Sequence, residues 1–353
     1  MRRAGVLGAA AGTLAVGAAV GLAAERYAIG RSRLGPDPDL DEPFFALPSD
    51  RVLRVVADDG VPLHVEVVGP ARSPLTVVFC HGYTQQLAAW HFQRQSLAHD
   101  NPGTLVFWDQ RSHGRSGRSS PEHATIDQLG RDLDAVLMAT APTGRVVLVG
   151  HSMGGMTIMA LAQQRPELFG DRVVGVVLMS TSAGRLASVS FGLPAVFSAV
   201  TRRVLPVITR TMQGRPALFE RGRRLSSDVA FVATRKGAFG SGDVSPTLVE
   251  MVERMTAETP VDVIAEFYDS FANHDKLASL DVLAGVQVLV LVGSKDLVTP
   301  VDHSRAIADA LPSAQLVVVE GAGHMVQLER APLVTLHLRA LLGRASRSTA
   351  RSA

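Results

Sequence analysis

Short apolar runs and alternating stretches predict eight strands along the chain. Residues 51–57 and 62–68 alternate around Asp58-Asp59-Gly60, which is typical of a β-hairpin. The run at 75–80 is apolar throughout, as expected for a parallel-sheet strand that is covered on both faces. Further strands are predicted at 104–108, 146–150, 173–179, 286–292 and 314–319.

Apolar residues at helical spacing separate several of these strands. Residues 126–139, the segment after Ser152 and the segment after Pro332 each predict a helix with one buried side. The alternation predicts an α/β fold with a mostly parallel, doubly wound eight-stranded sheet and helices on both faces. Residues 184–274 break the alternation with helical character, and we interpret them as a cap inserted into a core of residues 50–183 and 275–343.

The two ends of the chain differ from this core. Residues 4–24 are uncharged, and a helix of that length could cross a hydrocarbon layer of about 30 Å. Because the segment is mostly Ala and Gly, residues 1–28 could form an uncleaved signal anchor, a cleaved signal peptide or a buried helix. The first interpretation is favoured and predicts membrane or cell-envelope association; the second predicts secretion, and a cytoplasmic location is less favoured. Residues 29–49 are proline-rich and predict an extended linker or strap, and residues 344–353 predict a disordered tail.

Composition narrows the class of protein. With 353 residues and 46% hydrophobic content, the chain can bury one large core and a smaller inserted domain. Its single cysteine, Cys80, excludes an internal disulfide and a cysteine-ligated zinc site, and we interpret it as a buried apolar side chain. The net charge is +2, without a basic stripe interleaved with aromatic residues, so no nucleic-acid partner is expected. No metal or other cofactor is expected, and the oligomeric state stays open.

The segment Gly150-His151-Ser152-Met153-Gly154 lies where a strand-like run gives way to a helix. A serine at such a sharp turn needs neighbours without a Cβ, and Gly150 and Gly154 meet that need. The first free N–H groups of the helix, including that of Met153, would face negative charge that forms beside the Ser152 hydroxyl. This G-x-S-x-G nucleophile elbow resembles the α/β-hydrolase superfamily, in particular its lipase, esterase and monoacylglycerol-lipase branches.

Two further motifs resemble the same family. His81-Gly82-Tyr83-Thr84 follows the strand at 75–80. The resemblance implies that the backbone N–H of Tyr83 is the second oxyanion donor, that Gly82 allows its close approach, and that His81 is structural. Residues 109–116 resemble the D-x-R-G-x-G-x-S turn of the family, with Ser112-His113 departing from the usual glycine, and this turn is interpreted as scaffolding.

The acid and the histidine of the family also have matches. Residues 293–300 fit the G-x-x-D-x-x-x-P motif, and residues 321–324 fit G-x-G-H, which implies that Asp296 and His324 complete a triad with Ser152. No carboxylate follows the strand at 173–179, so the other position that some members use for the acid is excluded. We expect the small residues before His324 to let the loop swing its ring inward, and we expect Asp302 to cap the helix after Pro300.

The implied chemistry is serine hydrolysis through an acyl-enzyme intermediate. Ser152 would attack, His324 would transfer the proton, Asp296 would orient His324, and the N–H groups of Tyr83 and Met153 would hold the oxyanion. The main prediction is cleavage of carboxylic esters by an esterase or lipase. C–C bond hydrolysis and cofactor-free perhydrolysis are alternatives on the same fold, and a catalytically idle, membrane-tethered binding protein is an alternative of another class. The acyl length and the alcohol of the substrate stay open.

Overall fold

The computed structural model describes residues 36–100, 102–184 and 227–347, together with residues 186, 211 and 214. Eight strands form one sheet in the order β1-β2-β4-β3-β5-β6-β7-β8. They are β1 (Arg51–Val56), β2 (Pro62–Val68), β3 (Leu75–Cys80), β4 (Thr104–Trp108), β5 (Arg145–His151), β6 (Val173–Met179), β7 (Gln287–Gly293) and β8 (Gln315–Val319). Strand β2 pairs antiparallel with β1 and β4, and all other neighbouring pairs in this sheet are parallel. The predicted mostly parallel sheet is therefore confirmed.

Helices follow most of the parallel strands. Within the described residues they are α1 (His91–Asp100), α2 (Ile126–Thr140), α3 (Met153–Gln164), α4 (Ser227–Ala238), α5 (Pro246–Glu258), α6 (Val261–Glu266), α7 (Tyr268–Ala272), α8 (Val301–Ala310), α9 (Val326–Glu329) and α10 (Ala331–Arg347). Short 3-10 helices lie at Leu87–Trp90, Pro121–His123, Pro166–Leu168 and Leu277–Gly285.

The sheet has one apolar layer on each face. Side chains of Val146 and Leu148 in β5 pack with those of α2, α3 and α8, whereas Val147 and Val149 pack with those of α1 and α10. Successive residues of a strand point to opposite faces, so a central strand that is covered on both faces is apolar at every position. Cys80, at the end of β3, is fully buried, as the sequence predicts.

The described part of the predicted cap is helical and packs onto the core. Helices α4 to α7 lie in the chain between β6 and β7. Apolar side chains of α5, among them Leu248 and Met255, pack with Ala88 and Met325 of the core, while Phe267 packs with Met153. Most of residues 185–226 lie outside the described part, so the boundaries of the cap at 184 and 274 stay a prediction.

Residues 36–49, here called the N-terminal strap, contact both the core and the cap. Asp37 accepts hydrogen bonds from the Thr247 N–H (3.1 Å) and the Thr247 hydroxyl (2.7 Å) at the start of α5. On the core side, Arg94 of α1 donates to the carbonyl oxygens of Leu47 (3.1 Å) and Pro48 (2.6 Å). The N-terminal strap is thus fastened across two parts of the molecule. The sequence predicts an extended segment, but the strap is not extended throughout, because turns lie at residues 38–41 and 44–45.

The two ends of the chain are only partly described. Residues 1–35, which include the predicted membrane segment 4–24, lie outside the described residues. Among the residues that are described, no helix is both long enough and apolar enough to span a bilayer. The sequence predicts a tail from Arg344, but α10 continues through Arg347. The prediction was wrong at this boundary because Ala345 is buried in the core and Arg344 donates hydrogen bonds to Gln287 (3.3 Å) and Gln315 (3.2 Å).

Candidate active site

Ser152 lies at a sharp turn between β5 and α3. Its backbone has φ 52° and ψ −118°, a region that residues with a side chain rarely adopt. A Cβ on Gly150 would lie 2.5 Å from the carbonyl oxygen of Gly154, and one on Gly154 would lie 2.1 Å from the carbonyl oxygen of Cys80. Glycine is required at both positions because the turn packs backbone to backbone on itself and on the end of β3.

The end of strand β6 holds this strained backbone through two hydrogen bonds. The N–H of Ser152 donates to the carbonyl oxygen of Met179 (2.9 Å), and the hydroxyl of Thr181 donates to the carbonyl oxygen of Ser152 (2.7 Å). Thr181 follows the end of β6 and is fully buried. Nothing in the sequence analysis marks Thr181, because its role depends on β6 lying next to β5 in the sheet.

The predicted oxyanion donors lie on two segments that the sheet brings together. Cys80 of β3 pairs with Gly150 of β5, so the loop after β3 and the elbow after β5 leave the sheet side by side. A Cβ on Gly82 would lie 2.8 Å from the His151 ring, which shows how closely the loop approaches the elbow. Among the described residues, neither the N–H of Tyr83 nor that of Met153 has a hydrogen-bond acceptor. Their role as oxyanion donors stays a prediction.

The side chain of Tyr83 contacts the cap. Its hydroxyl donates to the carbonyl oxygen of Ile264 (2.5 Å), and its ring lies edge-on to that of Phe271, with centroids 4.9 Å apart. Burial raises the pKa of the Tyr83 hydroxyl far above its ordinary value, so it stays protonated. The tyrosine thus links the predicted oxyanion loop to α6 and α7.

Asp296 and His324 form a direct, buried pair. Nδ1 of His324 donates to the Asp296 carboxylate, with distances of 2.9 Å to Oδ2 and 3.1 Å to Oδ1. Oδ1 also accepts the N–H groups of Val298 (2.9 Å) and Thr299 (2.8 Å). Burial alone would raise the pKa of Asp296, but the charge and hydrogen bond of His324 and the Thr299 hydrogen bonds lower it below its ordinary value. Asp296 is therefore ionised at neutral pH.

Thr299 contacts both members of this pair, and its role was not predicted from the sequence. Its hydroxyl donates to Oδ2 of Asp296 (3.0 Å) and lies 3.4 Å from Nδ1 of His324. The spacing D-x-x-T is a sequence signal for such a local turn, since short polar side chains bind backbone groups two or three residues away. The prediction that Asp302 caps the following helix was wrong: Pro300 occupies the N-cap position, and Asp302 lies in the first turn of α8 and pairs with Arg305.

His324 lies against the residue that precedes Ser152. The Nε2–H of His151 donates to the carbonyl oxygen of His324 (2.9 Å), and the two rings have centroids 4.8 Å apart. Within the described part of the chain, no hydrogen bond joins the Ser152 hydroxyl to His324, and Nε2 of His324 has no partner. The structure thus brings Asp296 and His324 into contact and places His324 beside the elbow.

The loop that carries His324 contains two glycines with close structural constraints. Gly321 has φ 74°, which favours glycine, whereas a Cβ on Gly323 would lie 2.4 Å from the backbone nitrogen of Gly240. These contacts give the two glycines a packing role that the sequence did not predict, and the expected movement of the loop stays a prediction. One glycine allows a left-handed turn and the other allows close packing.

Three other histidines near this region are buried and neutral. Burial lowers the pKa of His81 and His151 to about 3 and that of His113 to about 4. His81 donates from Nδ1 to the carbonyl oxygen of Gly82 (2.7 Å) and accepts the N–H of Gln110 (2.9 Å) at Nε2. These bonds fit the structural role that the sequence analysis assigns to His81.

The turn at residues 109–116 supports the site without reaching it. Asp109 accepts the N–H groups of Leu87 (2.7 Å) and Arg115 (2.9 Å). Ser112 occupies the position at which the resembled motif has glycine, and its φ of 64° explains why glycine is usual there. Among the described residues, no group of three or more His, Cys, Asp or Glu side chains could hold a metal ion.

Comparison with known proteins agrees with this fold. A family model for the alpha/beta hydrolase fold matches residues 76–331, and the chain therefore belongs to that family. The chain is 28% identical over 264 residues to the sn-1-specific diacylglycerol lipase ABHD11 of Mus musculus, covering 74% of this chain and 78% of that protein.

Two solved structures show the same fold. A thermophilic esterase from Thermogutta terrifontis superposes with a TM-score of 0.63 at 24% identity, covering 84% of this chain and 99% of that one. The esterase RhEst1 from Rhodococcus sp. ECU1013 superposes with a TM-score of 0.66 at 22% identity, covering 83% of this chain and 98% of that one. The predicted α/β-hydrolase resemblance is confirmed.

Proposed function

We propose that this protein is a serine hydrolase that cleaves carboxylic esters through Ser152, His324 and Asp296. The observation that carries the proposal is the buried Asp296–His324 pair beside a serine with strained backbone geometry. Strained residues are concentrated at functional sites, where the surrounding structure holds them in place. Membership of the α/β-hydrolase family and the similarity to a diacylglycerol lipase support the same conclusion.

Each side chain of the proposed triad has one task. A serine hydroxyl is a weak nucleophile at neutral pH, so Nε2 of His324 takes its proton while the oxygen attacks the ester carbonyl. The ionised Asp296 keeps the proton of His324 on Nδ1 and stabilises the imidazolium that forms. The hydrogen bond from Ser152 to His324 forms with substrate, since such bonds are often long or misaligned in the free enzyme.

The backbone N–H groups of Tyr83 and Met153 stabilise the tetrahedral intermediate. Negative charge develops on the former carbonyl oxygen, and these two donors have no acceptor among the described residues. A donor of this kind lowers the barrier by roughly 3 kcal/mol. His324 then protonates the leaving alcohol, and a water molecule, activated by His324, releases the carboxylic acid and restores Ser152.

The first test is covalent labelling of Ser152. A fluorophosphonate probe should label the wild-type protein and should not label Ser152→Ala, while both proteins unfold at similar temperatures. Labelling that persists in Ser152→Ala, or a folded wild-type protein that does not react, would refute the proposal. A catalytically idle binding protein is the alternative that the second result would favour.

The second test concerns the bond that is cleaved. We expect the enzyme to hydrolyse p-nitrophenyl esters, and a series of rising acyl length, together with monoacylglycerols, will define the acyl preference. Higher turnover of a vinylogous diketone would instead favour C–C bond hydrolysis, and peroxide-dependent peracid formation would favour perhydrolysis.

We also propose that residues 4–24 attach the enzyme to a membrane. An uncharged segment of this length, flanked by arginines, supports the proposal. The full chain should sediment with membranes and resist extraction by high salt, whereas a chain that starts at residue 36 should not sediment. Release of the full chain by salt alone would contradict membrane insertion.

A further inference from the structure

Glu329 accepts three backbone N–H groups from two separate segments. Oε1 accepts the N–H of Ser241 (2.7 Å), and Oε2 accepts those of Gly240 (3.0 Å) and Gly323 (2.7 Å). Gly240 and Ser241 follow α4 of the cap, and Gly323 immediately precedes His324. The carboxylate side chain is fully buried. One buried carboxylate therefore joins the cap to the loop that carries His324.

The same two segments also pack backbone to backbone. A Cβ on Gly240 would lie 2.5 Å from the carbonyl carbon of Ala322, and the N–H of Met325 donates to the carbonyl oxygen of Ala238 (2.8 Å). On the opposite side, a Cβ on Gly293 would lie 2.3 Å from the carbonyl oxygen of Ala322. Residues 321–325, here called the histidine loop, are thus enclosed between the end of β7 and cap residues 238–241.

We propose that Glu329 is a positioning residue, which couples the place of cap residues 238–241 to the orientation of His324. The inference rests on the proposed function, in which His324 transfers the proton. Hydrogen bonds from N–H groups to a buried carboxylate are strong, and such a carboxylate is costly to leave without donors. If residues 238–241 moved away, Glu329 would lose two of its three donors, and the loop at 321–325 would lose the wall on its cap side.

In this arrangement, the position of cap residues 238–241 affects the orientation of His324. His324 is held at Nδ1 by Asp296, but its backbone position depends on Gly323 and on Met325, which both contact the cap or Glu329. Small displacements of a catalytic group slow the reaction, since a shift of about 1 Å can reduce the rate by roughly 100-fold. The active arrangement therefore requires residues 238–241 to be seated on the loop.

The test replaces Glu329 with glutamine. Glutamine keeps the size of the side chain but has only one acceptor oxygen. With that oxygen at the Oε2 position it can still accept from Gly240 and Gly323, but its NH₂ group then faces the N–H of Ser241, and two donors in contact push the cap segment away. We expect kcat for an ester, and the rate of fluorophosphonate labelling, to fall about 10- to 100-fold, while KM stays within about 3-fold. Glu329→Asp keeps the charge with a shorter reach and should lie between wild type and Glu329→Gln.

Asp37→Asn is the matched control. Asp37 is also a carboxylate that accepts a backbone N–H from the cap, that of Thr247 (3.1 Å), but it does not contact residues 321–325. Its substitution should loosen the N-terminal strap while leaving kcat and the labelling rate unchanged. An equal loss of kcat in both variants would mean that general loosening of the cap, not Glu329, explains the effect, and would overturn the proposal.

A readout independent of activity separates this inference from the proposed function. Hydrogen exchange at the amides of Gly240, Ser241 and Gly323 should be slow in wild type and in Asp37→Asn. In Glu329→Gln it should be faster, most of all at Ser241, which loses its acceptor. The NMR signal of the His324 Nδ1–H should broaden only in Glu329→Gln.

If the wild-type protein fails to react with the fluorophosphonate probe, the proposed function is refuted, while hydrogen exchange still decides whether Glu329 holds the loop. If hydrogen exchange and kcat in Glu329→Gln equal those of wild type, the inference is overturned. If Glu329→Gln does not fold, the same measurements on Glu329→Asp decide.

Discussion

Two buried clusters in the described part of this molecule each pair a basic side chain with carboxylates, but only one of them leaves a nitrogen of the basic side chain without a hydrogen-bond partner. In the first, Arg111 is fully buried, and all three nitrogens of its guanidinium donate to Asp59, Asp132 and Ser119 at 2.6 to 3.1 Å. In the second, Asp296 binds Nδ1 of His324, while Nε2 has no partner among the described residues. The first cluster is closed, and the second has an open end beside a strained serine.

The difference separates a structural cluster from a reactive one. A buried guanidinium with both carboxylates in place cannot exchange protons near neutral pH, so it can only hold the β1–β2 turn, which contains Asp59, against α2, which contains Asp132. An imidazole with one nitrogen fixed and one free can accept and return a proton. We therefore expect substitutions in the first cluster to change stability and those in the second to change the reaction.

The largest effect is expected for Asp296→Asn. Because Oδ1 already accepts the N–H groups of Val298 and Thr299, the amide oxygen should take that position and the NH₂ group should face His324. His324 would then carry its proton on Nε2, the wrong nitrogen to accept one from Ser152. We expect kcat to fall about 10⁴-fold while the free energy of unfolding changes by less than about 1 kcal/mol. A kcat within about 10-fold of wild type would contradict the role of Asp296, and Thr299→Val, which keeps the carboxylate, is the milder comparison.

The next effect is expected for Arg111→Met, in the closed cluster. Removing the cation leaves Asp59 and Asp132 without their main partner, and the free energy of unfolding should fall by roughly 3 to 5 kcal/mol. Measured on the folded fraction, kcat should remain near that of wild type. Urea unfolding and ester hydrolysis check the two parts, and adding Asp132→Asn to Arg111→Met should recover part of the lost stability. Loss of kcat without loss of stability would remove the distinction between the clusters.

The smallest effect per residue concerns the buried histidines and pH. The pKa of His81 and His151 is about 3 and that of His113 about 4, below the value of about 6.5 for an exposed histidine. Between these values the unfolded chain binds more protons than the folded one, so stability is full above pH 6.5 and falls as the pH is lowered. From pH 6.5 to 4.5 we expect a loss on the order of 2 kcal/mol per histidine.

His113→Phe sharpens this prediction. The ring of His113 packs against those of Tyr83 and Phe267, with centroids 5.8 Å from each, so phenylalanine suits the site. Removing one titrating group should reduce the slope of unfolding free energy against pH between 6.5 and 4.5, since His113 is one of five described histidines whose pKa is lowered by burial. An unchanged slope would show that His113 does not contribute to it.

Local patterns were enough to predict most of the framework. The predicted strands at 75–80, 104–108 and 173–179 have the same bounds in the structure, because strands buried on both faces are marked by continuous apolar runs. The positions of Ser152, Asp296 and His324 were accessible for a similar reason: each follows a strand end and lies in a short motif with glycines. Their catalytic roles are a proposal.

Contacts between distant segments could not be read in the same way. Nothing local distinguishes Glu329 from a solvent-exposed helical glutamate, and its three donors come from residues 6 to 89 positions away. The same holds for Thr181, whose bond to Ser152 requires β5 and β6 to be neighbours. The error at Asp302 arose because a local rule for helix caps took no account of the Pro300 position.

The sequence by itself determined the order of strands and helices, the fold class and the positions of the motif residues, because each depends on side chains that lie close together in the chain. Only the tertiary structure decided which segments meet: Asp296 with His324, His324 with His151, and Glu329 with the cap and the histidine loop. Such pairings depend on how the sheet aligns the ends of its strands, and no short stretch of sequence records which strands and loops become neighbours.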